Sequence, residues 1–115
     1  MTTHGLFIDG TQTEASSGGE GSIVNPANGQ EIARVALASA ADVDRAVTVA
    51  HTRFTDGIWR KAPVRERRDV LRRIADLVRR DRERLAKIES QNAGKPISAA
   101  RGEISTVAAT FDYYA

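Results

Sequence analysis

The Gly94-Lys95 pair, in the stretch ESQNAGKP at residues 89–96, is of the kind that cradles phosphates in nucleotide-binding loops. Such a loop needs another glycine five positions before the Gly-Lys glycine, a Ser or Thr after the lysine and a preceding β-strand. Here Glu89 stands at the position of the first glycine, Pro96 follows the lysine, and the preceding residues have the periodicity of a helix rather than a strand. The stretch is instead typical of a corner between two helices, with Gly94 ending the first and Pro96 opening the second.

Other residues that could do chemistry are few. The chain has no cysteine, which excludes a disulfide, a thiolate metal site and a cysteine nucleophile within it. His4 and His51 are far apart, and neither has a second ligand at metal-binding spacing on a helix face. The serines have no candidate base, so we predict no catalytic residue and no cofactor-binding residue in this chain.

Residues 65–87 carry ten Arg or Lys and five Asp or Glu, although the whole chain has a net charge of only +2. One interpretation is a small basic helical module that binds nucleic acid or a protein partner. The other is a solvated helix face, with acid-base pairs four residues apart at Asp69–Arg73, Asp76–Arg80 and Glu83–Lys87. We favour the second and predict no nucleic-acid partner, because the segment has no aromatic residue on which bases could stack.

Two β-hairpins are predicted over residues 6–37. The first contains Leu6–Ile8 and turns at Asp9-Gly10, a pair that tolerates positive φ angles. A polar loop follows at residues 15–21. The second hairpin turns within NPANG, residues 25–29, and its return strand does not alternate cleanly.

Three helices are predicted after the hairpins, over residues 39–55, 63–92 and 96–115. Ser39 and Asp42 have the spacing of a capping box, and Asp56-Gly57 ends the first helix. Gly102 interrupts the third helix, which suggests that something packs closely there. The fold class is therefore α+β. With 5% aromatic residues, the small core is expected to consist of Ala, Val, Ile and Leu plus the few bulky residues Trp59, Phe7, Phe54 and Phe111.

The N-terminus lacks a basic region followed by an apolar run, and no stretch approaches the ~18 apolar residues of a membrane span. The sequence therefore predicts a cytoplasmic protein without a membrane partner. The chain stops at Tyr113-Tyr114-Ala115 without a cap or polar tail, which suggests a piece of something larger.

Taken together, the motifs resemble the N-terminal region of NAD(P)-dependent aldehyde dehydrogenases, in the family's order and spacing over essentially the whole chain. The stretches that carry the resemblance are LFIDG at 6–10, VNPANGQEIARV at 24–35, ADVDRAV at 41–47, Trp59, R-x-x-x-L-R-R-I-A-D-L at 67–77, ESQNAGKP at 89–96 and FDYYA at 111–115.

The resemblance implies that residues 1–115 form the N-terminal part of the cofactor-binding domain, with the Rossmann-like fold not completed. It also implies that the cysteine nucleophile, the general-base glutamate, the oxyanion-stabilising asparagine and the glycine motif at NAD or NADP all lie beyond residue 115. The partner of this segment would be the remainder of a homo-oligomeric enzyme. Alone, the segment is expected to bind no cofactor, to be inactive and to expose apolar surface.

Two finer expectations come from the same resemblance. Some family members hold a monovalent cation with backbone carbonyls and a carboxylate; the matching positions here are Ile23, Val24 and Asn92. Asn92 replaces an aspartate, so the site would bind a cation more weakly. The pattern Glu-Ser-x-Asn-x-Gly-Lys-Pro is similar to that of aminobutyraldehyde dehydrogenases, which implies an ω-aminoaldehyde substrate; betaine aldehyde or an aliphatic aldehyde is the alternative.

Overall fold

A computed structural model describes residues 3–115 and has the predicted α+β class. The chain divides into two compact units, which we describe separately. The first contains residues 3–24 and 29–60, and the second contains residues 25–28 and 61–115.

The strands of the first unit are β1 (Thr3–His4), β2 (Leu6–Ile8), β3 (Thr11–Thr13), β4 (Glu20–Val24) and β5 (Glu31–Ala36). Strands β2 and β3 pair as the first antiparallel hairpin. Its turn uses the left-handed region that the Asp-Gly pair tolerates, with φ of 54° at Asp9 and 78° at Gly10. Strands β4 and β5 pair as the second, so both predicted hairpins are present.

The second hairpin belongs to a three-stranded sheet of order β1-β5-β4, in which β1 runs parallel to β5. Strand β1 was not predicted from the sequence, because a two-residue strand has no recognisable period. The register of the β4–β5 ladder shifts between Ile23 and Val24, which accounts for the imperfect alternation. The predicted loop at residues 15–21 is shorter than expected, since β4 already begins at Glu20.

Helix α1 (Ala40–Asp56) completes the first unit. Ser39 is its N-cap and forms the predicted capping box with Asp42, and Gly57 ends the helix with φ of 72°. At the last turn, Arg53 Nη2 lies 2.8 Å from Asp9 Oδ1, which ties the helix to the first hairpin turn. A further short helix, α2 (Ile58–Lys61), was not predicted.

The second unit consists mainly of α3 (Val64–Arg80), α4 (Arg82–Ala93) and α5 (Ile97–Tyr114). The single helix predicted over residues 63–92 is thus wrong: it is interrupted at Asp81, where ψ is 11°. Asp81 accepts hydrogen bonds from Arg80 and Arg84 on the two helices that it joins. Its side chain thereby stabilises the interruption.

Helix α5 packs against both α3 and α4. Asp112 near its end pairs with Arg79, and Arg101 near its start lies 3.0 Å from Glu83. Arg82 Nε donates to Ser105 Oγ at 2.9 Å, so its head group binds α5.

Three further expectations are corrected. The residues of 3–115 that form the buried apolar core are all alanines, namely Ala75, Ala86, Ala100 and Ala108. Phe7, Phe54 and Trp59 are at least half exposed, so they are not core residues. A β-carbon added at Gly102 would meet no atom within 4 Å, so no close packing explains that glycine.

The basic segment also pairs differently from the predicted spacing of four residues. Asp76 pairs with Arg79, Arg80 with Asp81, and Glu83 with Arg101. Helix geometry allows pairs three or four residues apart, as in Asp76–Arg79. The pair of Glu83 with Arg101 forms because α5 packs against α4. The interpretation as a solvated, salt-bridged face is therefore right in kind: the reversed pair of Arg65 with Asp69 is formed, although the three pairs predicted at Asp69–Arg73, Asp76–Arg80 and Glu83–Lys87 are not the ones observed.

Candidate functional site

The Gly94-Lys95 corner joins α4 to α5, as the sequence predicted. Lys95 Nζ lies 2.9 Å from Glu89 Oε1 on α4 and also contacts Glu103 on α5. Hydrogen bonds to Glu103 and then to Glu89 raise the pKa of Lys95. Ser90 Oγ donates to the Lys95 carbonyl at 2.7 Å. Two carboxylates therefore neutralise the ammonium group that a phosphate would need.

Gly94 is required at this corner for two reasons. Its φ of 69° lies in the left-handed region, which side chains other than glycine rarely adopt. In addition, a β-carbon at this position would lie 2.9 Å from Cγ of Pro26, so the NPANG turn approaches the corner too closely for a side chain.

The predicted cation ligands lie on elements of different units. Ile23 and Val24 are the last two residues of β4, at the irregularity of its ladder, in the first unit. Asn92 is exposed in the last turn of α4, in the second unit. Its Nδ2 donates to the Ile88 carbonyl at 2.9 Å, which leaves Oδ1 on the other side of the amide. The cation site itself stays a prediction.

The most buried ionisable side chain among the described residues is Asp42, which is 3% exposed. Its Oδ2 accepts hydrogen bonds from Ser39 N, at 3.0 Å, and Ser16 N, also at 3.0 Å, and from both serine hydroxyls. The backbone bonds from Ser39 and then Ser16 lower the pKa of Asp42 to about 2. We call these three residues the Asp42 cluster. It fastens the loop before β4 to the start of α1.

The described residues do not form a recognisable catalytic or cofactor site. Residues 3–115 contain no group of three or more His, Cys, Asp or Glu that could hold a metal ion. They do not fit a dinucleotide either, because Gly94 follows a helix and Lys95 is occupied by carboxylates. Among the helices of residues 3–115, none could span a membrane.

Comparison with known proteins gives these elements a context. The sequence pattern that defines the aldehyde dehydrogenase family matches residues 13–115. The chain is 37% identical over 110 residues to betaine aldehyde dehydrogenase of Bacillus subtilis, covering 96% of this chain and 22% of that protein. It is 40% identical over 112 residues to human retinal dehydrogenase 2, again covering 96% of this chain and 22% of the relative.

A solved structure has the same arrangement. The crystal structure of an NAD-dependent aldehyde dehydrogenase from Sinorhizobium meliloti superimposes with a TM-score of 0.91 at 37% identity. The superposition covers 96% of this chain and 22% of that one. The chain belongs to the aldehyde dehydrogenase family, and it corresponds to the N-terminal segment of that fold. It spans about a fifth of the length of the relatives it matches.

Two contacts of this region were not found from the sequence. Ser16 binds Asp42 across 26 positions, and Lys95 binds Glu103 across a helix corner. Nothing in the local sequence marks Ser16, in a predicted loop, or Glu103, eight residues after Lys95, as the partner in these contacts. The family resemblance was the only signal that could identify function, because the described residues contain no recognisable chemical constellation.

Proposed function

We propose that this chain serves as the N-terminal scaffold of an NAD(P)-dependent aldehyde dehydrogenase that oxidises an aldehyde to the carboxylic acid. One observation carries the proposal. The match to these enzymes extends over 96% of this chain but only 22% of the enzyme chain. The cofactor, NAD or NADP, and the catalytic cysteine would be held by the rest of the enzyme. By itself the 115-residue chain is expected to be inactive, since it has no cysteine nucleophile.

A segment exchange tests this role. In a chimera, the matching segment of Bacillus subtilis betaine aldehyde dehydrogenase is replaced by this chain. We expect NADH formation from betaine aldehyde within about tenfold of the parent rate, a barrier change of ~1.4 kcal/mol or less. The isolated chain should form no NADH. A folded, oligomeric chimera without activity would contradict the scaffold role, and NADH formation by the isolated chain would contradict its inactivity.

For the complete enzyme we propose an ω-aminoaldehyde such as aminobutyraldehyde as substrate, on the basis of the ESQNAGKP stretch, with betaine aldehyde as the alternative. Two relatives of similar identity are named for betaine aldehyde and for retinal. The sequence of this segment can therefore identify a subfamily at most, and the residues that contact the substrate are expected in the rest of the enzyme. The test is kcat/KM of the complete enzyme for the two aldehydes: a preference for betaine aldehyde would overturn the assignment.

A homo-oligomer and a cytoplasmic location also stay predictions.

We also propose that the carbonyls of Ile23 and Val24, with the amide oxygen of Asn92, bind a monovalent cation in the complete enzyme. The proposal rests on the family resemblance, in which these three positions match the cation ligands. An amide oxygen supplies no charge, so Asn92→Asp should bind the cation more tightly. The measurement is the midpoint of K⁺-dependent thermal stabilisation of the chimera. An unchanged midpoint in Asn92→Asp would remove Asn92 from the site.

A further inference from the structure

Arg67, near the start of α3, carries an unsatisfied polar atom. Its Nε is buried and has no hydrogen-bond partner, which is true of no other buried side-chain nitrogen or oxygen in the described residues. The arginines beside it are satisfied: Arg65 and Arg68 both pair with Asp69, at 3.8 and 3.4 Å. None of the ion pairs found within residues 3–115 includes Arg67. An acceptor for Nε of Arg67 is therefore missing from the described residues.

A missing acceptor matters more for arginine than for other side chains. A buried N–H without a partner loses its hydration and regains nothing, and the loss is larger for a charged group. A buried lysine or histidine could release its proton, but a guanidinium remains charged in proteins. Arg67 therefore stays charged while its buried Nε lacks an acceptor.

Helix α5 gives Nε of Arg67 no hydrogen-bond partner. Its Asp112 pairs instead with Arg79, which lies twelve residues, or about 18 Å along the axis of α3, after Arg67. Val64, three residues before Arg67 and on the same side of the helix, is 72% exposed. This end of α3 therefore presents an apolar side chain beside an unsatisfied cation, which is the composition of a surface made to be covered.

We propose that Arg67 is a docking residue that receives a carboxylate from the part of the complete dehydrogenase outside this segment. The inference rests on the proposed function. Charge favours an acidic partner, since α3 contains seven arginines and three carboxylates. A carboxylate can accept from Nε and one Nη together, a bidentate geometry that also fixes the angle of approach.

The test uses the chimera with betaine aldehyde dehydrogenase. Arg67→Met keeps the aliphatic stem and removes the guanidinium, and Arg67→Lys keeps the charge but loses the bidentate geometry. Arg72→Met is the matched control, because Arg72 is exposed on the same helix. We expect Arg67→Met to lower the Tm of the chimera by about 3 °C or more, Arg67→Lys by less, and Arg72→Met by under about 1 °C. Equal effects of Arg67→Met and Arg72→Met would show that the guanidinium of Arg67 gains no partner in the complete enzyme, and the proposal would be wrong.

A second measurement does not depend on the chimera. In the 115-residue chain, Arg67→Met should leave the helical ellipticity at 222 nm unchanged, because no partner is lost there. A clear loss of ellipticity would mean that the guanidinium already has its partner within this segment, which overturns the proposal. By contrast, an unmutated chimera that folds but is inactive counts against the proposed function and leaves the Arg67 comparison of Tm values intact.

Discussion

At the scale of single residues, Asp42 is the side chain whose environment is most specific. It is buried, yet it accepts four hydrogen bonds from Ser16 and Ser39. These bonds favour its charged form, which is why its folded-state pKa of about 2 lies below the ordinary value of 3.8. Arg45, with its Nη2 3.7 Å from Oδ1, adds a positive charge on the solvent side.

The sign of the resulting pH dependence follows from linkage. Because the folded state holds the charged carboxylate more strongly than the unfolded state does, the contribution of Asp42 to stability is fully present above pH ~4. It is lost as the pH falls from about 4 towards 2. We therefore expect Asp42→Asn to lower the urea midpoint at pH 7 and to flatten the stability profile between pH 4 and 2. Urea unfolding followed by circular dichroism at several pH values measures both effects.

Asp44→Asn is the control for this prediction. Asp44 lies on the same helix two residues later and is exposed, so its replacement should shift the urea midpoint little at any pH. If Asp42→Asn and Asp44→Asn behaved alike, the Asp42 cluster would not hold the loop to α1.

How much of the Asp42 cluster could be predicted depended on sequence separation. The Ser39 to Asp42 half follows from a spacing of three residues, which fixes a capping box by helix geometry alone. The Ser16 half depends on where the loop after β3 lies in space, and local sequence does not contain that information. The same is true of Arg67, whose unsatisfied Nε is visible only when its surroundings are known.

At the scale of elements, the joint between α4 and α5 differs from the interior of α5, and two glycines show the difference. Gly94 needs a positive φ and has Pro26 against it, whereas Gly102 lies inside a helix with no neighbour within 4 Å of an added β-carbon. We expect Gly94→Ala to destabilise the second unit by at least ~1 kcal/mol. Gly102→Ala should stabilise it by up to ~1 kcal/mol, because alanine is the better helix former.

Thermal or urea unfolding of the two alanine variants measures these opposite shifts on one helix pair. Each variant is the control for the other, since both make the same chemical change. A stabilising Gly94→Ala would refute the left-handed corner, and a destabilising Gly102→Ala would mean that something does pack against that position.

The elements also show where sequence patterns stop being informative. The apolar stripe of residues 63–92 continues through Asp81, because the interruption changes the backbone of one residue without ending the buried face. Periodicity therefore predicted one helix where there are two. Strand β1 was missed for the opposite reason: its two residues pair with β5 only because the chain folds back beside it. Capping and turn residues, by contrast, correctly located the first hairpin turn, the Gly57 end of α1 and the Gly94 corner.

At the scale of the whole chain, the core is small for the number of apolar residues. Within residues 3–115 no large side chain is fully buried, and the buried apolar residues are four alanines. Several large apolar side chains remain open to solvent, among them Phe7 at 75%, Phe54 at 72% and Tyr113 at 82% exposed. Apolar area left in water contributes nothing to folding, so much of the chain's 41% hydrophobic content does not stabilise this segment by itself.

If this segment is a scaffold, as proposed, the rest of the dehydrogenase should cover these side chains. The 115-residue chain should then bind a dye that fluoresces on exposed apolar surface, and the chimera should bind several-fold less dye per mole of segment. Phe54→Ser in the isolated chain should reduce the dye signal without loss of helical ellipticity, because a side chain so exposed contributes little to packing. Equal dye binding by the isolated chain and the chimera would mean that these faces stay open in the assembled enzyme. The exposed phenylalanines would then have to be explained by a contact with another protein.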